Sequence, residues 1–158
     1  MAKILKQSFL VLVALIAAIQ FVRPSRINPP VNTSREITAL HPAPTEVTST
    51  LQRSCNDCHS NRTVWPWYSN VAPASWLVAH DVNAGRSALN FSDWGVMDVE
   101  KRQESVGKIC EEVRDGEMPM SQYVLLHPRA RLTSQDTQAL CSWALQIAPG
   151  GGVKEDKD

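Results

Sequence analysis

The segment Cys55-Asn-Asp-Cys-His59 is the strongest constraint on the structure of this chain. Its two cysteines are three positions apart, so in a helix both side chains lie on one face. The histidine that follows can present its imidazole to a metal ion. This C-x-x-C-H spacing is typical of covalent c-type haem attachment, in which Cys55 and Cys58 form thioethers with the porphyrin and His59 binds the iron. The segment therefore predicts one covalently bound haem c.

Other uses of paired cysteines are less well supported. A thioredoxin-like dithiol is typical of a βαβ context, and a zinc site requires two more ligands at a compatible spacing. The sequence has no βαβ pattern, and its other cysteines, Cys110 and Cys141, stand alone and far apart. Haem attachment is therefore favoured over zinc and over a bare redox pair. In an oxidising compartment Cys110 and Cys141 can form a disulfide, and this alternative stays open beside a pair of buried thiols.

Hydrophobic spacing after residue 45 is helical, with almost no strand alternation. Gly116 is a suitable C-terminal stop for one helix, and Thr133 is a suitable N-cap for the last, with Asp136 three residues later. Helices are predicted at about 45–55, 73–89, 98–114 and 133–147. Residues 45–148 are therefore expected to form one all-α domain.

The N-terminus carries basic Lys3 and Lys6, followed by an apolar run that ends near Val22. This run is as long as a signal-peptide core and nearly long enough to cross a bilayer. Residues 1–23 are therefore predicted to be a signal anchor or a signal peptide, and bulky residues after the run favour the uncleaved anchor. Either role exports the rest of the chain, and the basic end is expected to stay in the cytoplasm.

Two further segments look irregular. Residues 24–44 are rich in proline and lack a sustained hydrophobic period, which predicts an extended spacer that holds the domain clear of the membrane surface. Residues 149–158 contain three glycines in a row, at 150–152, and end with charged side chains, which predicts a flexible tail.

Length and charge exclude several classes of protein. The chain has 158 residues, with 16 basic and 16 acidic side chains. One modest domain fits this length, whereas a large multidomain enzyme does not. Lys3, Lys6 and Arg23 flank the apolar run. Without these three basic side chains, the folded part of the chain has more acidic than basic residues and is mildly acidic. A phosphate-binding surface is therefore not expected, and nucleic acid is not a predicted partner.

Short motifs lie throughout the globular part, in addition to the cysteine segment. They are Asn61-Arg-Thr-Val-Trp-Pro-Trp-Tyr-Ser-Asn70, Ser75-Trp76, Asn90-Phe-Ser-Asp-Trp94, Gly116-Glu-Met-Pro119, Leu126-His-Pro128 and Ala130-Arg-Leu132. Together with C-x-x-C-H they resemble the bacterial haem-binding domain family of the cytochrome c type, over about residues 50–148. The Trp-Pro-Trp-Tyr segment is more specific than the haem motif, which unrelated cytochromes share. The resemblance implies a small monohaem cytochrome c-like helical domain behind an N-terminal membrane segment.

An iron bound by His59 has a second axial position, whose occupant separates electron transfer from ligand binding. Met118 is the favoured ligand, because Gly116 ends a helix and Pro119 keeps the backbone extended. Its Gly-Glu-Met-Pro setting resembles the methionine loop of small monohaem cytochromes c. The alternatives that stay open are Met120, His127, His80 and an open position.

Aromatic residues crowd the segment after His59. A large flat apolar cofactor requires flat apolar walls, so Trp65, Trp67 and Tyr68 are predicted to pack on a face or edge of the porphyrin. Arg62 is predicted to pair with a haem propionate. The alternative that these aromatics simply form the hydrophobic core stays open.

These features predict a monohaem cytochrome c that carries one electron at a time between redox protein partners. It is expected on the periplasmic side of the cytoplasmic membrane, anchored by its N-terminal segment, and it is not expected to be an enzyme. The alternative is a haem module that binds or senses a small gas molecule at an open or displaceable sixth position.

Overall fold

The computed structural model describes residues 1–147, in which all regular structure is helical. The all-α fold class is therefore confirmed. The α-helices of this part of the chain are α1 (Ala2–Ile19), α2 (Ile37–Leu40), α3 (Thr45–Ser54), α4 (Asn56–His59), α5 (Ala74–Ala88), α6 (Val99–Arg114), α7 (Ser121–Leu126) and α8 (Ser134–Ile147). Short 3-10 helices lie at Thr33–Arg35, Trp67–Asn70, Phe91–Val96 and Pro128–Ala130. The predicted tail lies outside the described residues.

The four helices that the hydrophobic spacing predicts correspond to α3, α5, α6 and α8. Local capping explains where α8 begins and where α6 ends. The Thr133 backbone N–H donates to Asp136 Oδ2 at 2.8 Å, and the Asp136 N–H donates to Thr133 Oγ1 at 3.1 Å, which satisfies free amides at the start of α8. After α6, Gly116 has a φ of 76°, a left-handed conformation that glycine adopts without strain.

The hydrophobic core lies where α3, α6 and α8 pack together. Trp94 is only 1% exposed and is surrounded by residues of this core. Val106 of α6 and Leu140 and Trp143 of α8 are also buried there. Burying these apolar side chains is the main stabilising contribution to the domain.

Helix α1 is long and apolar enough to cross a membrane by length and composition, and none of its side chains is buried in the protein. Its 18 residues span about 27 Å at 1.5 Å per residue, which is close to the thickness of the hydrocarbon layer. A signal peptide can have the same length and apolar composition. The prediction of an N-terminal apolar helix is thus confirmed, and its role as an anchor or a signal peptide stays a prediction.

Residues 24–44 differ from the predicted spacer, because they lie against the domain. Ile37 is 2% exposed and belongs to the core. Asn28 Nδ2 donates to the Thr63 carbonyl at 2.9 Å, and Asn61 Nδ2 donates to the Pro30 carbonyl at 3.3 Å. The segment shows no hydrophobic period because polar side chains make most of these contacts. The segment is therefore packed against the domain and is not the extended spacer that the sequence predicts.

Cys110 and Cys141 are both buried and both free thiols, at the contact between α6 and α8. Burial, with a smaller contribution from neighbouring Cys141, raises the pKa of Cys110 to about 12. Of the two states that the sequence leaves open, the structure has the thiol pair.

Candidate haem site

The cysteine motif lies at a break between two helices. Helix α3 ends at Ser54 and α4 begins at Asn56, so Cys55 joins them with non-helical dihedral angles. The His59 N–H donates to the Cys55 carbonyl at 2.9 Å, which closes a compact turn around the motif. Helix α3 is in turn fixed to α8, because Arg53 forms an ion pair of 2.6 Å with Asp136. The motif is therefore attached directly to the core.

The imidazole of His59 is oriented by the end of α5. Leu89 follows that helix, and the carbonyls at a helix end lack intrahelical partners. His59 Nδ1 lies 3.1 Å from the Leu89 carbonyl oxygen and donates to it, which leaves Nε2 as the nitrogen available to a metal. Burial, only partly opposed by backbone hydrogen bonds, lowers the pKa of His59. The ring is therefore neutral at pH 7, the form that ligates iron.

Two cavities flank His59 and share this residue with Met118 and Pro119 in their walls. Cys55 lines one cavity, of about 800 Å³ including its open mouth, and Cys58 lines the other, of about 670 Å³. Most of the exposed wall of each cavity is apolar. The apolar character of these walls suits an organic cofactor. The imidazole, the two thiols and the Met118 thioether are thus brought to one site.

Small residues of α5 allow this helix to approach the motif closely. A Cβ at Gly85 would lie 2.5 Å from the Cys58 carbonyl oxygen, closer than any side chain tolerates. Ala84 and Ala88 line the Cys58 cavity beside Gly85. No sequence motif marks these positions as site residues, although small side chains at positions 84, 85 and 88 share one helix face. That shared face was the available signal.

Met118 is positioned by the end of α6. The backbone N–H groups of Glu117 and Met118 both donate to the Glu112 carbonyl at 3.0 Å. These bonds satisfy a free carbonyl of the helix and fold the chain back after Gly116. The fold brings Met118 into the walls of both cavities next to His59.

The other candidates for the sixth ligand are placed differently. Met120 lines the Cys58 cavity. His127 stacks on Tyr123 with 4.2 Å between ring centroids, and its Nδ1 lies 3.2 Å from the Tyr123 carbonyl oxygen, outside the walls of both cavities next to His59. His80 is exposed on α5. Among these side chains, Met118 alone lines both cavities beside His59.

The predicted aromatic contacts are divided by the structure. Tyr68 lines a further cavity that Cys58 also borders. Trp65 Nε1 instead donates to Asn28 Oδ1 at 3.0 Å, and Trp67 is 78% exposed. Neither tryptophan lines a cavity next to His59 in the part of the chain described here. The segment follows the motif in sequence but turns outward, because its polar contacts tie it to residues 24–44.

Arg62 also differs from its predicted role as a propionate partner. Its Nε lies 2.7 Å from Glu36 Oε1, and its Nη2 lies 3.1 Å from Glu36 Oε2. This two-point ion pair occupies the guanidinium and fastens the N-terminal segment to the domain. Lys108 borders the Cys55 cavity and is the cationic side chain found there.

The thiols do not resemble a zinc site. Burial raises the pKa of Cys55 to about 12 and that of Cys58 to about 11, so both are protonated thiols at neutral pH. Zinc requires thiolates and, in a structural site, four ligands. Within residues 1–147 no three histidine, cysteine or carboxylate side chains come together to hold a metal ion. The donor set instead fits a cofactor that brings its own equatorial ligands.

The chain belongs to the haem-binding domain family, whose model matches residues 14–146. Haem is therefore its cofactor, and the resemblance noted in the sequence is confirmed. The match begins well before residue 45 and includes the segment that packs against the domain. No curated protein and no solved structure matches the chain.

Proposed function

We propose that the chain holds one haem covalently through Cys55 and Cys58, and that it carries single electrons outside the cytoplasmic membrane. The observation that supports this most is the position of His59. Its Nδ1 is bonded to Leu89, and its ring lies between two apolar cavities that each contain one cysteine. Covalent attachment of a haem through its two vinyl groups would require two such thiols, with an imidazole beside them to bind the iron.

Attachment consumes the two thiols without an external oxidant. Cys55 and Cys58 would hold the haem by adding their S–H groups across its two vinyl double bonds, so that for each lost double bond one C–S bond and one C–H bond would form. The buried, protonated state of Cys55 and Cys58 supplies both the sulfur and this hydrogen. Once formed, the thioethers no longer titrate, and they keep the cofactor in place through changes of redox state.

Met118 is the proposed sixth ligand. Bound haem would supply a one-electron redox centre, and ligation by both His59 and Met118 would raise its potential. The Met118 thioether lines the same two cavities as His59, and its backbone is fixed by the bonds to Glu112. A firmly held sixth ligand favours electron transfer over gas binding. In this proposal the chain is not an enzyme, and its partners are redox proteins.

The location follows from α1 and from the attachment chemistry. Helix α1 has the length and composition of a signal anchor, and haem is attached to c-type cytochromes on the outer face of the membrane. The proposed location is therefore the periplasmic side, with α1 retained as an anchor.

The test is expression of the full chain with the haem-attachment machinery. Acid–acetone extraction of the denatured protein should leave the colour on the polypeptide, and the reduced protein should show a low-spin spectrum. The Met118→Ala variant should lose the low-spin spectrum and bind carbon monoxide rapidly. The neighbouring control variant, Met120→Ala, should keep the low-spin spectrum. Extractable haem would contradict covalent attachment. Rapid binding of carbon monoxide by the unsubstituted protein would favour the gas-binding function.

A further inference from the structure

Apolar side chains are exposed around the point where α1 meets the domain. Phe21 and Val22, directly after α1, are 88% and 63% exposed. Trp67, Val71 and Trp76 are exposed on the domain, where Trp76 is hydrogen-bonded to Val22 and Ala72 next to Val71 is hydrogen-bonded to Gln20. We call the five exposed residues the junction face. Exposed tryptophan and aliphatic side chains that cluster in this way mark an interaction surface.

Hydrogen bonds fix the junction face to the end of α1. The Gln20 amide makes two bonds to the backbone of Ala72: its Nε2 donates to the Ala72 carbonyl at 3.1 Å, and its Oε1 accepts from the Ala72 N–H at 2.9 Å. Trp76 Nε1 donates to the Val22 carbonyl at 2.7 Å. The chain that leaves α1 therefore turns directly onto the domain without a free linker.

The charge pattern of this region matches a lipid surface. Residues 63–79 contain no acidic or basic side chain. Arg23 and Arg26 lie at its edge, where Arg26 Nη1 donates to Ser69 Oγ at 3.4 Å. Tryptophan is enriched at the level of lipid headgroups, and arginine binds their phosphates. A protein interface of this kind would ordinarily have a charged or polar rim on all sides.

We propose that the junction face lies in the headgroup layer of the bilayer, so that the haem domain rests on the membrane surface. This inference rests on the proposed role of α1 as a membrane anchor. A helix of 18 residues spans about 27 Å, so Gln20 stands at the outer edge of the hydrocarbon layer. Because Ala72 is hydrogen-bonded to Gln20, the residues around Ala72 lie at the same depth in the bilayer as Gln20.

The haem site acquires a fixed orientation as a consequence. Pro66, Tyr68, Ala74 and Leu77 line the further cavity that Cys58 borders on the side away from His59, and all four belong to residues 63–79. One wall of that cavity is therefore carried by the segment that lies on the membrane. A redox partner embedded in the same bilayer would reach the Cys58 side of the cofactor.

The experiment uses the full-length holoprotein in vesicles of phosphatidylcholine and phosphatidylglycerol that contain a photoreactive diazirine lipid. After illumination, peptide mass spectrometry locates the lipid adducts. Adducts are expected on α1 and on residues 67–76, and not on Val99, which is 63% exposed on α6. Val71→Glu should lower the adducts on residues 67–76 about fivefold, because a charge is disfavoured at this depth. The control Val99→Glu should leave them unchanged, and both variants should keep the haem content.

The outcomes separate this inference from the function on which it rests. Adducts on α1 alone would overturn the membrane contact of the domain and leave the anchor intact. If the junction face carries no adducts and the protein has twice the mass of one chain, a second copy covers this face, and the proposal is overturned. If α1 itself carries no adducts, the membrane location fails and the inference fails with it, whereas covalent haem attachment is judged separately by its colour.

Discussion

The haem motif, residues 55–59, and the tryptophans of the segment 65–68 are neighbours in the chain with opposite surroundings, although Tyr68 of that segment lines a cavity that Cys58 borders. The first segment is fixed between α3 and α5, and its imidazole and thiols border apolar cavities. The second segment exposes Trp67 and turns Trp65 toward Asn28. The comparison teaches that contact with the buried core, and not closeness to the haem motif in sequence, decides whether a side chain serves the cofactor or the surface.

The largest difference between the two segments is expected in cofactor attachment. Replacing both thiols, Cys55→Ser with Cys58→Ser, removes both thioethers, so the colour that survives acid–acetone extraction should fall to background. Trp67→Phe should keep all of it, because that side chain is 78% exposed and borders neither cavity beside His59. Loss of colour in the Trp67 variant would mean that the two segments act as one site.

The next difference is in stability, between a buried and an exposed tryptophan. Trp94→Ala should lower the free energy of unfolding by about 3–5 kcal/mol, because it leaves a cavity in the core. Trp67→Ala should change it by no more than about 0.5 kcal/mol. Urea denaturation followed by circular dichroism measures both values. Equal effects would contradict the assignment of Trp67 to the surface.

A smaller effect is expected where α5 approaches the motif. Gly85→Ala places a methyl group against the Cys58 carbonyl, and this overpacking should cost about 1–3 kcal/mol. The substitution should also lower the number of haem groups bound per chain, because the added methyl group pushes the cysteine motif out of position. Asn83→Ala, at an exposed position of the same helix, is the matched control. A Gly85 variant with unchanged stability would show that α5 and α4 are less closely packed.

The smallest effect concerns the ion pair behind the motif. Burial by itself raises the pKa of Asp136, but hydrogen bonds from Thr133, Arg53 and Thr50 outweigh this and hold the pKa well below its usual range. The pKa of Asp136 is lower in the folded than in the unfolded protein. The ionised carboxylate therefore stabilises the fold fully above the unfolded pKa of about 3.9, and this stabilisation is lost as the pH falls through the folded pKa. Asp136→Asn should cost about 1 kcal/mol at pH 7 and progressively less in acid.

Denaturation curves at pH 7 and at several lower values test this dependence. Glu104→Gln is the control, because the Glu104–Lys108 pair is exposed at the surface and should contribute little. An Asp136→Asn effect that stays constant as the pH falls would contradict the depressed pKa.

Local features of the sequence carry much of the fold. The end of α6 follows from Gly116, and the start of α8 follows from the capping box of Thr133 and Asp136; each device acts within a few residues of the helix end that it sets. The packing of Ile37 could not be foreseen in the same way, because a single apolar residue among prolines makes no period. Its burial depends on a surface formed by residues far along the chain.

The sequence by itself determined the helical class, the apolar N-terminal helix and the cofactor, because helical periodicity and the C-x-x-C-H spacing are properties of neighbouring residues. Only the tertiary structure decided that Met118 shares the His59 cavities, that Arg62 pairs with Glu36, and that the tryptophans after the motif turn outward. Each of these contacts joins residues distant in sequence. Their partners are selected by the packing of whole helices, which no local pattern records.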